Sequence, residues 1–127
     1  MREIKFRGRM GVWVYGDLTR DTSGLPLIGI PLHWEYVEPE TVGQFTGLCD
    51  SDGREIYEGD IVKLSPQFSV KQGLKREFRF PAVVRWDERL ARFSLRSMEI
   101  IDSLRGSEYI TVIGNVHDNP ELLEAHA

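Results

Sequence analysis

Glu58 and Asp60 flank a single glycine, and paired carboxylates can serve as acid and base, or hold a hard cation, when their surroundings separate their pKa values. The same spacing has a plainer origin, in which Gly59 makes a tight bend and Asp60 satisfies its amides, and we expect that one. His117-Asp118-Asn119 could supply a general base or a metal ligand. However, His33 and His126 have no sequence partner that completes a site, and Asn119 before Pro120 reads as a helix start. Gln44, Thr46 and Asn115 stand beside glycines, where polar side chains either meet a small ligand or satisfy turn amides. Cys49 is the only cysteine, which excludes an internal disulfide and a thiolate-only metal site. Nothing adjacent would activate its thiol.

Neither a phosphate-cradling glycine loop nor a local Ser-His-Asp signature is present. The sequence therefore leans away from an enzyme. It assigns no catalytic residue, no metal ligand and no cofactor, and it leaves any ligand-binding residue unknown. Trp13, Tyr15, Trp34, Tyr36, Tyr57, Trp86 and Phe93 could stack single-stranded bases if they shared an exposed face with arginines, but their apolar strand contexts favour core packing.

The net charge of −4 conceals a division along the chain. Residues 31–62 hold eight acids against one base, Arg54, whereas residues 71–105 hold nine bases against five acids. Neutralisation within the fold, head-to-tail pairing between subunits, and a basic face for nucleic acid would each use this division. The third ranks last, because a pI near 5.4 is unlike that of a dedicated nucleic-acid binder. In that reading Lys75, Arg76 and Arg79 are the first contacts. No apolar run approaches the roughly 20 residues that span a bilayer, and the start, Met1-Arg2-Glu3, leads into alternating charge. We expect a cytoplasmic protein without membrane association.

These residues need elements to position them, and the patterning is that of strands. Residues 4–7 alternate apolar and charged side chains up to Gly8, and residues 12–15 are apolar on both phases, as in a strand covered on both faces. Residues 17–31 read as a loop with an extended piece at 27–30, and residues 32–37 alternate again. Residues 39–43 fit one helical turn. Asp50-Ser51-Asp52-Gly53 is the clearest turn, followed by strands at 54–57 and 61–64. A long loop is expected over 65–73, then strand over 77–86, interrupted or at an edge because Pro81 lacks an amide donor. A turn at 87–89 returns into strand 92–96, residues 97–104 read as weakly helical, residues 109–113 as strand, and residues 119–123 as a short helix.

The sum is a mainly β domain of about eight strands with one or two short helices, in a small barrel or a curled antiparallel sheet. At 127 residues, with 41% apolar and 28% charged positions, one domain over 1–127 is expected. Several blocks resemble the YopX-like family of phage and prophage proteins: IKFRG at 4–8, WVYGDL at 13–18, VGQFTGL at 42–48, DSDGREIYEGDIV at 50–62, VVRWD at 83–87 and VIGNVHDNPELL at 112–123. The resemblance implies a barrel-like β fold and a phage or prophage origin, and carries no activity or residue role with it. The expected function is that of an accessory protein that self-associates as a homo-oligomer and contacts an unknown protein partner, with a nucleic-acid-binding β module as the alternative.

Overall fold

The fold is that of a computed structural model of the chain, which describes residues 3–65, 80–97, 101–103 and 109–124. The chain divides into two compact units, Met1–Gly47 and Leu48–Ala127. The first contains β1 (Phe6–Arg9), β2 (Trp13–Arg20), β3 (Pro26–Ile30), β4 (His33–Tyr36), a 3-10 turn at Pro39–Thr41 and most of β5 (Gly43–Cys49). Within this unit the strands follow the order β4-β3-β2-β1-β5, part of a six-stranded sheet.

Gly8 does not end β1. The strand continues to Arg9 because the Val37 side chain lies over Gly8, its Cγ2 only 2.6 Å from where a Cβ would stand. The residues expected to form a loop after 17 instead extend β2 to Arg20. Its period-two alternation, with Asp17 and Thr19 turned out and Leu18 paired to Ile28, is carried by residues of low strand propensity. Nor is β2 covered on both faces, since Tyr15 is exposed. The 3-10 turn at Pro39 holds Thr41, whose hydroxyl donates to the Glu38 carbonyl and accepts from the Arg9 amide at 2.8 Å.

In the second unit the last residues of β5 lead through a turn at 50–53 into β6 (Glu55–Tyr57). Then follow β7 (Asp60–Leu64), β8 (Ala82–Asp87), β9 (Arg92–Arg96), β10 (Ile101–Ser103), β11 (Ile110–Asn115) and a 3-10 turn at Pro120–Leu123. The sheet order is β10-β9-β8-β7-β11. The helix expected across 97–104 is not formed at 101–103, which pair with β9 as a strand. A cross-strand partner outweighs a marginal local preference there. Strand β8 begins just after Pro81, where the missing donor is harmless. The earlier part of that expected strand, 77–79, and the expected loop from 66 to 73 lie outside the described residues.

The core of this unit is a close-packed cluster of Ile56, Val62, Leu64, Ala82, Val84, Phe93, Leu95 and Ile110. The chain is thus mainly β with two short 3-10 turns, and among the described residues neither sheet closes into a barrel. The open antiparallel alternative is the one formed, with eleven strands among the described residues rather than about eight.

Candidate functional site

Of the carboxylates and amides singled out by sequence, Asp60, Asn115 and Asn119 are used in holding turns. Gly59 takes φ +92°, its N–H donates to the Val84 carbonyl at 2.8 Å, and its own carbonyl accepts from Val116. Asp60, 2% exposed, accepts from the Tyr57 amide at 2.8 Å. This is the bend expected at this glycine. Asn115 Oδ1 accepts from the amides of His117 and Asp118, and Asn119 Oδ1 accepts from Asn115 N–H. Asn119 therefore does not cap the following turn with its side chain. It is drawn instead over Gly114, where a Cβ would be 2.5 Å from its oxygen. Gln44 and Thr46 lie on β5 to either side of Phe45, and Cys49 is exposed at its end. Among the described residues no three His, Cys, Asp or Glu side chains are grouped to hold a metal ion.

Asp50 does more than make a turn. Its Oδ1 accepts from the amides of Asp52 and Arg54, while Oδ2 accepts from Val112 N–H at 2.9 Å, 62 residues away in sequence. Burial opposes its ionisation, but the Val112, Arg54 and Asp52 amides together outweigh that and hold its carboxyl below the ordinary value. The turn signal was legible in Asp50-Ser51-Asp52-Gly53. The link to β11 was not.

Lys75, Arg76 and Arg79 lie outside the described residues. Of the described arginines in the basic stretch, Arg85, Arg92 and Arg96 share one face of β8 and β9 by register. Trp86 pairs with Phe93 on the alternate positions, their rings edge to face at 5.0 Å. Arginines and aromatics thus alternate there and do not form a shared stacking face.

Aromatics and cations do meet in the first unit. The pairings Arg7↔Tyr15, Arg9↔Trp13, Asp17↔Gly29↔Trp34 and Leu27↔Tyr36 put Trp13, Tyr15, Trp34 and Tyr36 on one face. Arg7 lies 4.6 Å and Arg9 5.9 Å from the Trp13 ring centroid, and Arg9 also binds Glu38 at 2.9 Å. The expectation that these aromatics are core residues fails on this face, where Tyr15, Trp34 and Tyr36 are about half exposed. Tyr36 donates its hydroxyl to Asp21, which raises the phenol pKa. The Asp21 carboxyl is pushed down to about 2 by the Ser23 hydroxyl and the Leu25 amide.

The β3–β4 hairpin carries the most unusual local geometry. Ile30 pairs with His33, which leaves Pro31-Leu32 as a two-residue loop. Proline sets the first φ near −65°, and Leu32 then takes φ +77°, a conformation suited to glycine or asparagine. Its side chain is also fully exposed. Beside it a groove of about 590 Å³ is lined by Tyr15, Asp17, Gly29, Leu32, His33 and Trp34, among others. Sequence reasoning missed it because Pro31-Leu32 lacks the glycine that marks a hairpin loop.

No curated protein gives a significant match to the chain. The crystal structure of protein EF1440 from Enterococcus faecalis is similar in fold, at 22% identity and a TM-score of 0.57, over 98% of this chain and 100% of that one. At that identity the likeness concerns the fold alone. The family model described as YopX protein matches residues 17–124, which include the Asp50 turn, the Gly59 bend, the β3–β4 hairpin and the Asn115–Asn119 contact. This chain belongs to the YopX family.

Proposed function

We propose that residues 1–127 act as one domain of a cytoplasmic, non-enzymatic accessory protein of phage or prophage type, working through self-association and contact with other proteins. The observation that carries this reading is the β3–β4 hairpin. Strand β4 is the last strand of its sheet, so one row of its backbone groups has no strand partner among the described residues, and such an edge is an association site unless it is covered or charged. This edge presents Trp34 and Tyr36, and the loop beside it holds Leu32 in a strained backbone conformation with its apolar side chain in water. A strained, exposed apolar residue has no folding advantage, and strain of that kind collects at contact sites.

The test separates folding from association. A monomer of this length has a radius of gyration of about 14 Å, and scattering coupled to size-exclusion chromatography should give a larger value that rises with concentration. In Leu32→Gly the strain is relieved, so stability should stay level or rise by about 1 kcal/mol, while the oligomer weakens. A native protein that stays at about 14 Å at every concentration defeats the reading. Micromolar, salt-sensitive binding of random single-stranded DNA would instead favour the nucleic-acid alternative, with Lys75, Arg76 and Arg79 as first suspects.

A further inference from the structure

We propose that the groove between Tyr15, Asp17 and Trp34 is a receptor for the guanidinium of an arginine carried on an extended segment of a partner protein. This deepens the protein-contact reading and rests on it. Three features of the groove specify the ligand.

The first is a fixed aromatic wall. The Trp34 ring lies over Gly29, with ring carbons 2.7, 2.8 and 3.0 Å from where a Cβ would stand, so the glycine admits the ring against the strand backbone. The tryptophan still keeps half its surface in solvent. Tyr15 stands two residues before Asp17 on β2, and Asp17 is aligned across Gly29 with Trp34. Two aromatic side chains and one carboxylate therefore face the same side of the sheet within one groove.

The second feature is the sign of the charge. His33 Nε2 is 2.7 Å from Glu35 Oε1, so that imidazole is already engaged. Asp17 makes no ion pair or side-chain hydrogen bond with another described residue. Among the described residues that line the groove the unengaged charge is negative, and a carboxylate beside aromatic faces selects a cation. A planar guanidinium suits the combination better than an ammonium, because it can stack on the indole while its N–H groups reach the carboxylate. Leu32 at the rim offers apolar contact to the aliphatic stem.

The third is that the same sheet face already uses this chemistry internally. Arg7 stacks on Trp13 at 4.6 Å, and Lys5 stands over Phe45 at 5.2 Å. In the groove Trp34 and Asp17 are present, and among the described residues neither is paired with a cation. A nucleic-acid base could also stack on Trp34 and Tyr15, but its phosphates would meet Asp17, so the charge favours the arginine.

The experiment is a titration of the full chain, followed by nuclear magnetic resonance, with N-acetyl-arginine-methylamide, N-acetyl-norleucine-methylamide and a ten-residue oligothymidylate as probes. The arginine probe should saturate in the millimolar range, as expected for a single side chain, shifting the Trp34 indole N–H and the Asp17 and Tyr15 amides. The norleucine probe should not. Trp34→Ala should weaken binding about fivefold, and the milder Asp17→Asn about threefold. The proposal is overturned if the arginine probe shows no saturable shift, if norleucine matches it, if Asp17→Asn leaves it unchanged, or if the oligothymidylate binds the same residues more tightly. Because the titration reads the groove directly, loss of arginine binding with self-association intact removes this proposal alone. A strictly monomeric chain that still binds arginine removes self-association alone.

Discussion

The two units solve the same folding problem in different ways. The second unit buries Ile56, Tyr57, Ile61, Val62, Leu64, Ala82, Val83, Val84, Phe93, Leu95 and Ile110, whereas among the described residues of the first the buried large apolar side chains are Ile28, Val37 and Phe45, and Leu32, Trp34, Tyr36 and Tyr15 are exposed. Apolar burial, at roughly 25 cal/mol per Å², is therefore concentrated in the second unit. The first depends more on cross-strand pairing, on glycines that admit neighbours, and on cations stacked over rings. Exposed apolar side chains occur in both units, among them Ile4, Val12 and Leu25 in the first and Trp86, Leu90 and Ile113 in the second, but Tyr15, Trp34 and Tyr36 stand together on one sheet face beside Leu32, and the difference teaches that contact with another molecule would have most to gain there.

The sharpest way to break that contrast is to truncate one residue from each region. Leu95→Ala opens a cavity in the second unit and should lower unfolding free energy by about 3 kcal/mol in urea denaturation, while Trp34→Ala should lower it by about 1 kcal/mol or less. Equal losses would mean that the exposed face is as structural as the core. Asp50→Ala leaves three amides in search of acceptors, including that of Val112. It should destabilise by about 2 kcal/mol, with hydrogen exchange accelerated first at residues 52, 54 and 112. Uniform acceleration would show that Asp50 does not link the turn to β11.

Gly59→Val places a β-branched residue at φ +92°, and should reduce stability by about 1 kcal/mol or more through backbone strain. A melting temperature unchanged from the native protein would show that the bend relaxes. The smallest effect belongs to the first unit. The folded Asp21 pKa of about 2 lies below its ordinary 3.8, so the stabilisation from its ionised form is full above the unfolded value and disappears as pH falls from about 4 towards 2. Thermal melts of native protein and Asp21→Asn should differ at neutral pH and converge in that acid window. A difference that persists at the acid end would assign Asp21 a role unrelated to its charge.

Much of the fold was legible where the local signal and the global structure agree. The Asp50–Gly53 turn, the bend at Gly59, the 3-10 turn at Pro39, and the strands β4, β6, β7, β9 and β11 follow from turn chemistry and period-two patterning. The misses have physical reasons. Gly8 looked like a strand end because the side chain that needs its missing Cβ, Val37, is 29 positions away. Residues 17–20 looked like a loop because Asp and Thr favour turns in isolation, and residues 101–103 looked helical because their strand partner is supplied by β9. The candidate groove was illegible for a related reason: Tyr15, Asp17, Gly29 and Trp34 become neighbours only when the register of β2, β3 and β4 is set.

The sequence by itself determined the β-rich class, the main reversals, the division of charge and the resemblance to the YopX-like family, because each depends on residue type and short-range spacing. Only the tertiary structure decided which glycines serve packing rather than turning, that Asp50 fastens β11, that Trp86 and Phe93 lie away from the neighbouring arginines, and that Trp34 stands exposed beside an unengaged carboxylate. Those outcomes depend on strand register, and a shift of one residue would send every side chain of the shifted strand to the opposite face.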